Sequence, residues 1–124
     1  MDKNIKKIIE KAKKDNEIAA VALFGSSLKG KGRDIDICIF LDKKYSNIQM
    51  SKKQLGFLKE LDQNIDIQIF QQLPIYIRAR IIGGCKILLD KNSDLLYNIA
   101  FDTIKEFGFF KKTYENYLRE VKNG

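Results

Sequence analysis

The 124-residue chain has no histidine and no tryptophan, a single proline and two cysteines. Without histidine, a zinc site would fall to thiolates, and Cys38 and Cys85 fit no metal-ligand spacing. Both cysteines sit in strand-like segments and read as buried, reduced thiols, so no disulfide framework is implied. Long apolar runs are also lacking. The stretch from residue 18 to 24 falls far short of a membrane span, and the basic N-terminus leads into an amphipathic pattern without a signal-peptide core. A soluble protein of the cytoplasm is expected. Acidic residues are in deficit, 16 against 23 Lys plus Arg, for a formal charge of +7. That excess favours anionic partners, but the lysines are spread along the chain, so no direct nucleic-acid binding is expected from them.

What is present is a short domain rich in isoleucine, large enough for one core. Ile5, Ile8, Ile9 and Ala12 recur at helical spacing over residues 3–14. Residues 17–24 read as an apolar strand, broken sharply at Gly25-Ser26-Ser27. A glycine-containing loop leads to a second strand over 34–41. A helix is expected over 47–61, a third strand over 65–70, and a short helix from Pro74 to about Ile82, closed by Gly83-Gly84. An edge strand over 85–89 follows. A long helix then runs from about 93 to 121, with Ser93 as its N-cap and an apolar stripe from Leu96 to Val121. The order argues for an α/β (α+β) fold, a small mixed four-stranded sheet with helices packed on one face.

Two strands carry aspartates. In DIDICIF, residues 34–40, Asp34 and Asp36 share a face with Cys38 and Phe40, while Ile35, Ile37 and Ile39 line the other. NIDIQIF, residues 64–70, repeats the pattern with Asp66 in the place of Asp36. If the strands are neighbours in register, Asp36 and Asp66 lie side by side, with Asp34 about 6–7 Å along. Converging carboxylates repel unless cations neutralise them, and oxygen-only ligands suit Mg²⁺ or Mn²⁺. A pair of such ions suits phosphoryl chemistry. The turn at Gly25-Ser26 is a candidate phosphate cradle, and Lys29, Lys31 and Arg33 stand between it and the aspartates.

These residues together resemble the DNA polymerase β-type nucleotidyltransferases, and more narrowly the minimal nucleotidyltransferases. The resemblance spans about residues 19–89 and implies a single domain over 1–124, with a core at about 17–90 and a C-terminal helix at about 93–121. It implies that Gly25, Ser26, Lys29 and Arg33 bind the triphosphate of ATP or another nucleotide. It also implies that Asp34, Asp36 and Asp66 are the catalytic residues and hold two Mg²⁺ ions. The loop from Ser26 to Asp34 is shorter than in many members, and Arg33 stands where a serine commonly precedes the two aspartates. Chains of this length in the family are typically paired with a small helical HEPN ribonuclease toxin, and some transfer AMP from ATP to a tyrosine of that toxin. The implied function is thus an antitoxin and protein adenylyltransferase. Steric neutralisation of the toxin without catalysis is the alternative, and nucleotide transfer to a small molecule such as an antibiotic a third. A homo- or hetero-oligomer is compatible with any of these.

Overall fold

The computed structural model describes residues 3–25, 35–62 and 64–123. Helix α1 (Lys3–Lys13) leads into strand β1 (Ile18–Phe24); β2 (Ile35–Leu41), α2 (Asn47–Leu58) and β3 (Ile65–Ile69) follow. A 3₁₀ turn over Phe70–Gln72 precedes α3 (Ile75–Gly84), β4 (Lys86–Asp90) and the long α4 (Ser93–Asn123). The sheet has the order β3-β2-β1-β4. β1 pairs antiparallel with β2 and with β4, whereas β2 and β3 run parallel. The expected mixed four-stranded sheet is therefore present, with β4 at an edge.

The helices divide between the two faces of the sheet, where one covered face was expected. Ile37, Ile39, Ile67 and Ile69 face α1 and α2, and Ile8, Ala12, Met50 and Phe57 complete that core. On the reverse face Ala20, Ala22, Cys38 and Phe40 are also fully buried, here against Phe70 and Ile81, with Leu96 and Ile99 of α4 packed on them. The reason is size. Alanines and a cysteine give a shallow sheet surface on which helices can sit close, so burial there needs no isoleucine stripe to announce it. Phe40 and Phe70 stack with ring centroids 4.5 Å apart, filling the gap that the small residues leave.

Polar side chains fix the ends of the elements. Ser46 caps α2 in a capping box, its hydroxyl accepting from the Gln49 N–H while the Gln49 side chain accepts from the Ser46 N–H. Asn92, and not the expected Ser93, accepts from the Leu95 N–H at the start of α4, at 3.1 Å. Ser93 instead donates its hydroxyl to Asp90, at 2.7 Å. Asn and Ser are nearly equivalent caps, and here Asp90 takes the serine. Gln71 clamps the end of β2, accepting from the Leu41 N–H and donating to the Leu41 carbonyl. Both cysteines are free thiols, Cys38 buried and Cys85 half-buried; burial pushes the Cys38 thiol well above its ordinary range. No helix among the described residues is long and apolar enough to cross a membrane.

Candidate active site

The site forms at the end of the sheet where β1 finishes and where β2 and β3 begin. In the parallel β2/β3 pair, Asp36 lies directly beside Asp66, as the repeated pattern requires. Neighbouring strands are about 4.8 Å apart, so two carboxylates on the same face repel when both are ionised and could together hold a hard cation. Ile35 and Ile37 flank Asp36 and point to the opposite face with Ile65 and Ile67. The apolar layer on that side thereby fixes the register, since a slip of one residue would send either aspartate into the isoleucine core.

Phe24, at the end of β1, pairs with Asp36, which brings the next residue, Gly25, against the aspartate. Gly25 is the one residue among those described with a positive φ, 71°. An added Cβ would stand 2.6 Å from Asp36 Oδ2. Two independent demands thus select glycine here: a left-handed backbone, and a side chain of zero volume facing a carboxylate. The close approach places the turn backbone at the aspartate pair, the arrangement a phosphate cradle beside a metal requires.

Gln68 was not singled out in the sequence. Its Nε2 donates to both carboxylate oxygens of Asp66, at 3.2 and 3.1 Å. Two residues apart on one strand, they share a face, so the contact was legible from period-two alternation alone. It restrains the Asp66 carboxylate without neutralising it. Of the remaining sequence candidates, Ser26, Lys29, Lys31, Arg33 and Asp34 lie outside the described residues. Among the described residues no group of three metal-ligating side chains is assembled. Asp36 and Asp66 form a carboxylate pair with the chemistry of a Mg²⁺ or Mn²⁺ seat, to which Asp34 would be the third contributor.

A cleft of about 380 Å³, lined by Lys11, Tyr45, Lys52 and Lys53 among others, opens at the Leu41 end of the sheet, away from the aspartates. Its best-placed charge, Lys53, is engaged within the protein. Lys53 Nζ lies 2.6 Å from both Asp15 and Glu17, and Tyr45 donates to Asp42 at 2.7 Å. The hydrogen bond to Asp42 raises the Tyr45 phenol above its usual range. These contacts tie α2 to the entrance of β1 and give the cleft a structural role.

The fold and the carboxylate site together define a class. Residues 6–94 match the family model described as polymerase beta, nucleotidyltransferase, and the chain belongs to that family. A candidate protein adenylyltransferase of Methanocaldococcus jannaschii is 26% identical over 111 residues, covering 86% of this chain and 78% of the relative. Among solved structures, a chain from the complex of tri-AMPylated Shewanella oneidensis HEPN toxin with its MNT antitoxin superposes with a TM-score of 0.69. The identity is 22%, with 95% of each chain covered. A chain of a toxin–antitoxin structure with AMP-PNP gives a TM-score of 0.71 at 19% identity, again with 95% of each chain covered. At such identities the structural neighbours establish the fold.

Proposed function

We propose that this protein is an antitoxin that transfers AMP from ATP to a tyrosine of a HEPN ribonuclease toxin. The observation that carries the reading is the in-register Asp36–Asp66 pair with the Gly25 backbone packed on the Asp36 carboxylate. A protein that only bound its partner would have no physical reason to set two carboxylates side by side against a side-chain-free turn. The relatives supply the substrate class. One carries the name of a protein adenylyltransferase, and one structural neighbour is a complex with an AMPylated toxin.

In this reading Asp34, Asp36 and Asp66 hold two Mg²⁺ ions, and the Gly25 turn with Ser26, Lys29 and Arg33 holds the triphosphate. Bound magnesium supplies charge neutralisation at the phosphates and acidifies the acceptor hydroxyl. The tyrosine oxygen forms a bond to the α-phosphorus, the bond from that phosphorus to the bridging oxygen breaks, and pyrophosphate leaves with the electron pair. In this reading Asp66 takes the tyrosine proton, and Gln68, which donates to both of its carboxylate oxygens, keeps that carboxylate aimed.

The test is intact-mass analysis of a purified HEPN partner incubated with this protein, ATP and Mg²⁺. A gain of one or more AMP masses is expected, reduced at least ~100-fold in rate by Asp36→Asn. No mass gain with the wild type would refute the chemistry. If Asp36→Asn still neutralised the toxin fully in cells, steric blocking would be the function.

A further inference from the structure

α3 carries the chain from one edge of the sheet to the other, since it follows β3 and leads into β4, which the order β3-β2-β1-β4 sets at opposite edges. It therefore crosses the reverse face obliquely. One flank of α3 is occupied by α4: Ile82 borders a cleft with Leu96 and Tyr97, and Arg78 pairs with Glu106 at 2.7 Å. Among the described residues no helix lies along the other flank. Cover on the reverse face of β3 accordingly fades towards the carboxylate site, from Phe70, 1% exposed, through half-buried Gln68 to exposed Asp66. An open wedge is left there, with Asp66 at its end.

Arg80 stands on the flank of α3 that borders this wedge. Two residues from both Arg78 and Ile82, it lies roughly 160° around the helix from each of them. Unlike Arg78 it is exposed, and among the described residues it makes no hydrogen bond or ion pair. Gly84, one turn further on, shares the flank. A Cβ added there would meet nothing within 4 Å, and its φ is not positive. Neither backbone conformation nor crowding among the described residues asks for glycine in this last turn, where it is about 1 kcal/mol less favourable than alanine. What the missing side chain gives is room for a molecule to approach the backbone.

Resting on the transferase reading above, we propose that the wedge between α3 and β3 seats the acceptor, and that Arg80 selects it by pairing with a carboxylate the acceptor carries near its tyrosine. Position and charge both argue for that occupant. The triphosphate is assigned to the Gly25 turn on the β1 side of Asp36, which leaves the β3 side, where Asp66 stands, to the attacking hydroxyl. An unpaired guanidinium is matched by a planar anion, and the planar anion that a protein acceptor brings is an Asp or Glu side chain. Arg80 is thus a specificity residue, reading the surroundings of the hydroxyl and taking no part in the proton or phosphoryl transfer.

The experiment is steady-state AMP transfer to the purified HEPN protein from the same genome, with calorimetric binding of Mn²⁺ and a non-hydrolysable ATP analogue measured beside it. It uses the wild type, Arg80→Ala, Arg80→Lys, Arg80→Glu and Gly84→Leu. Arg80→Ala and Gly84→Leu should melt with the wild type, because the one removes an unengaged side chain and the other fills open space. Arg80→Ala should raise the KM for the partner by at least ~10-fold, Arg80→Glu further and Arg80→Lys least, with kcat and nucleotide affinity unchanged. The gap between wild type and Arg80→Ala should narrow in high salt. Gly84→Leu should raise the same KM by occupying the wedge. Transfer by the wild type with that KM unmoved in Arg80→Glu and Gly84→Leu would overturn the subsite and leave the transferase reading standing. Equal rises in all three Arg80 variants would overturn the carboxylate, since charge would not then be what is read. Weaker nucleotide binding by Arg80→Ala would put the guanidinium on the triphosphate and overturn the acceptor assignment. A wild type that binds nucleotide but transfers none to the partner overturns the transferase reading and the subsite with it.

Discussion

At the scale of single residues, Gly25 is under the sharpest constraint, because conformation and space both forbid a side chain. Gly25→Ala is expected to cost about 1–2 kcal/mol of stability from the left-handed backbone alone. It should also push the Asp36 carboxylate out of line and weaken Mn²⁺-nucleotide binding by at least ~10-fold. Titration calorimetry beside a thermal melt separates the two effects. Gln68 makes a gentler prediction. Its amide donates to both Asp66 oxygens, so Gln68→Ala should lower Mn²⁺ affinity about 10-fold, read by electron paramagnetic resonance of free Mn²⁺, with the melting temperature little changed. An unchanged affinity would make the contact incidental. Asp36 and Asp66 were legible in the sequence because alternation sets each opposite the isoleucines of its own strand, and the β2/β3 pairing then brings them together. The close approach of Gly25 to Asp36 was not legible, since it depends on the register of β1 against β2.

At the scale of elements, the junction of α1, β1 and α2 hangs on Lys53, which bridges Asp15 and Glu17. Burial alone would lower the Lys53 pKa and raise that of Asp15. The hydrogen bonds and charges between them win, so Lys53 rises and Asp15 falls. The signs set the pH window. Asp15 contributes stability above the ordinary carboxylate pKa of 3.8, lost as pH falls through its lowered value. Lys53 contributes below its ordinary 10.5, and that share is lost as pH rises through the raised value. Between these limits Lys53→Met should cost about 1–2 kcal/mol by urea denaturation, discounted for partial exposure, and the difference from wild type should shrink towards pH 3. A constant difference down to pH 3 would show that the ion pair contributes nothing. The sequence did not disclose this bridge, because its partners lie 36 and 38 residues from Lys53 and meet only when α2 folds back over the sheet.

At the scale of the molecule, the two cores on either side of one sheet explain how a short chain holds its carboxylates in place. The Phe40–Phe70 stack ties β2 to the turn after β3 on the aspartate face, beneath α3. Phe40→Ala should therefore lose about 3–5 kcal/mol of stability, measured by chemical denaturation, and nucleotide binding should fail along with folding. A loss below about 1 kcal/mol would mean that the reverse face collapses around the gap and that the two layers are not coupled. The expectation of helices on one face failed because Ala20, Ala22 and Cys38 are too small to read as a core from pattern alone, although α3 and α4 bury them completely.

By itself the sequence determined the strands, the helices and the setting of Asp36 and Asp66 opposite the isoleucines of their own strands. These follow from local periodicity, in which each side chain's direction is set by its neighbours along the chain. Only the tertiary structure decided which strand lies beside which, that Gly25 abuts Asp36, and that both faces carry helices. Those facts arise from contacts between segments distant in sequence, where the competition for buried surface is settled by the whole fold at once.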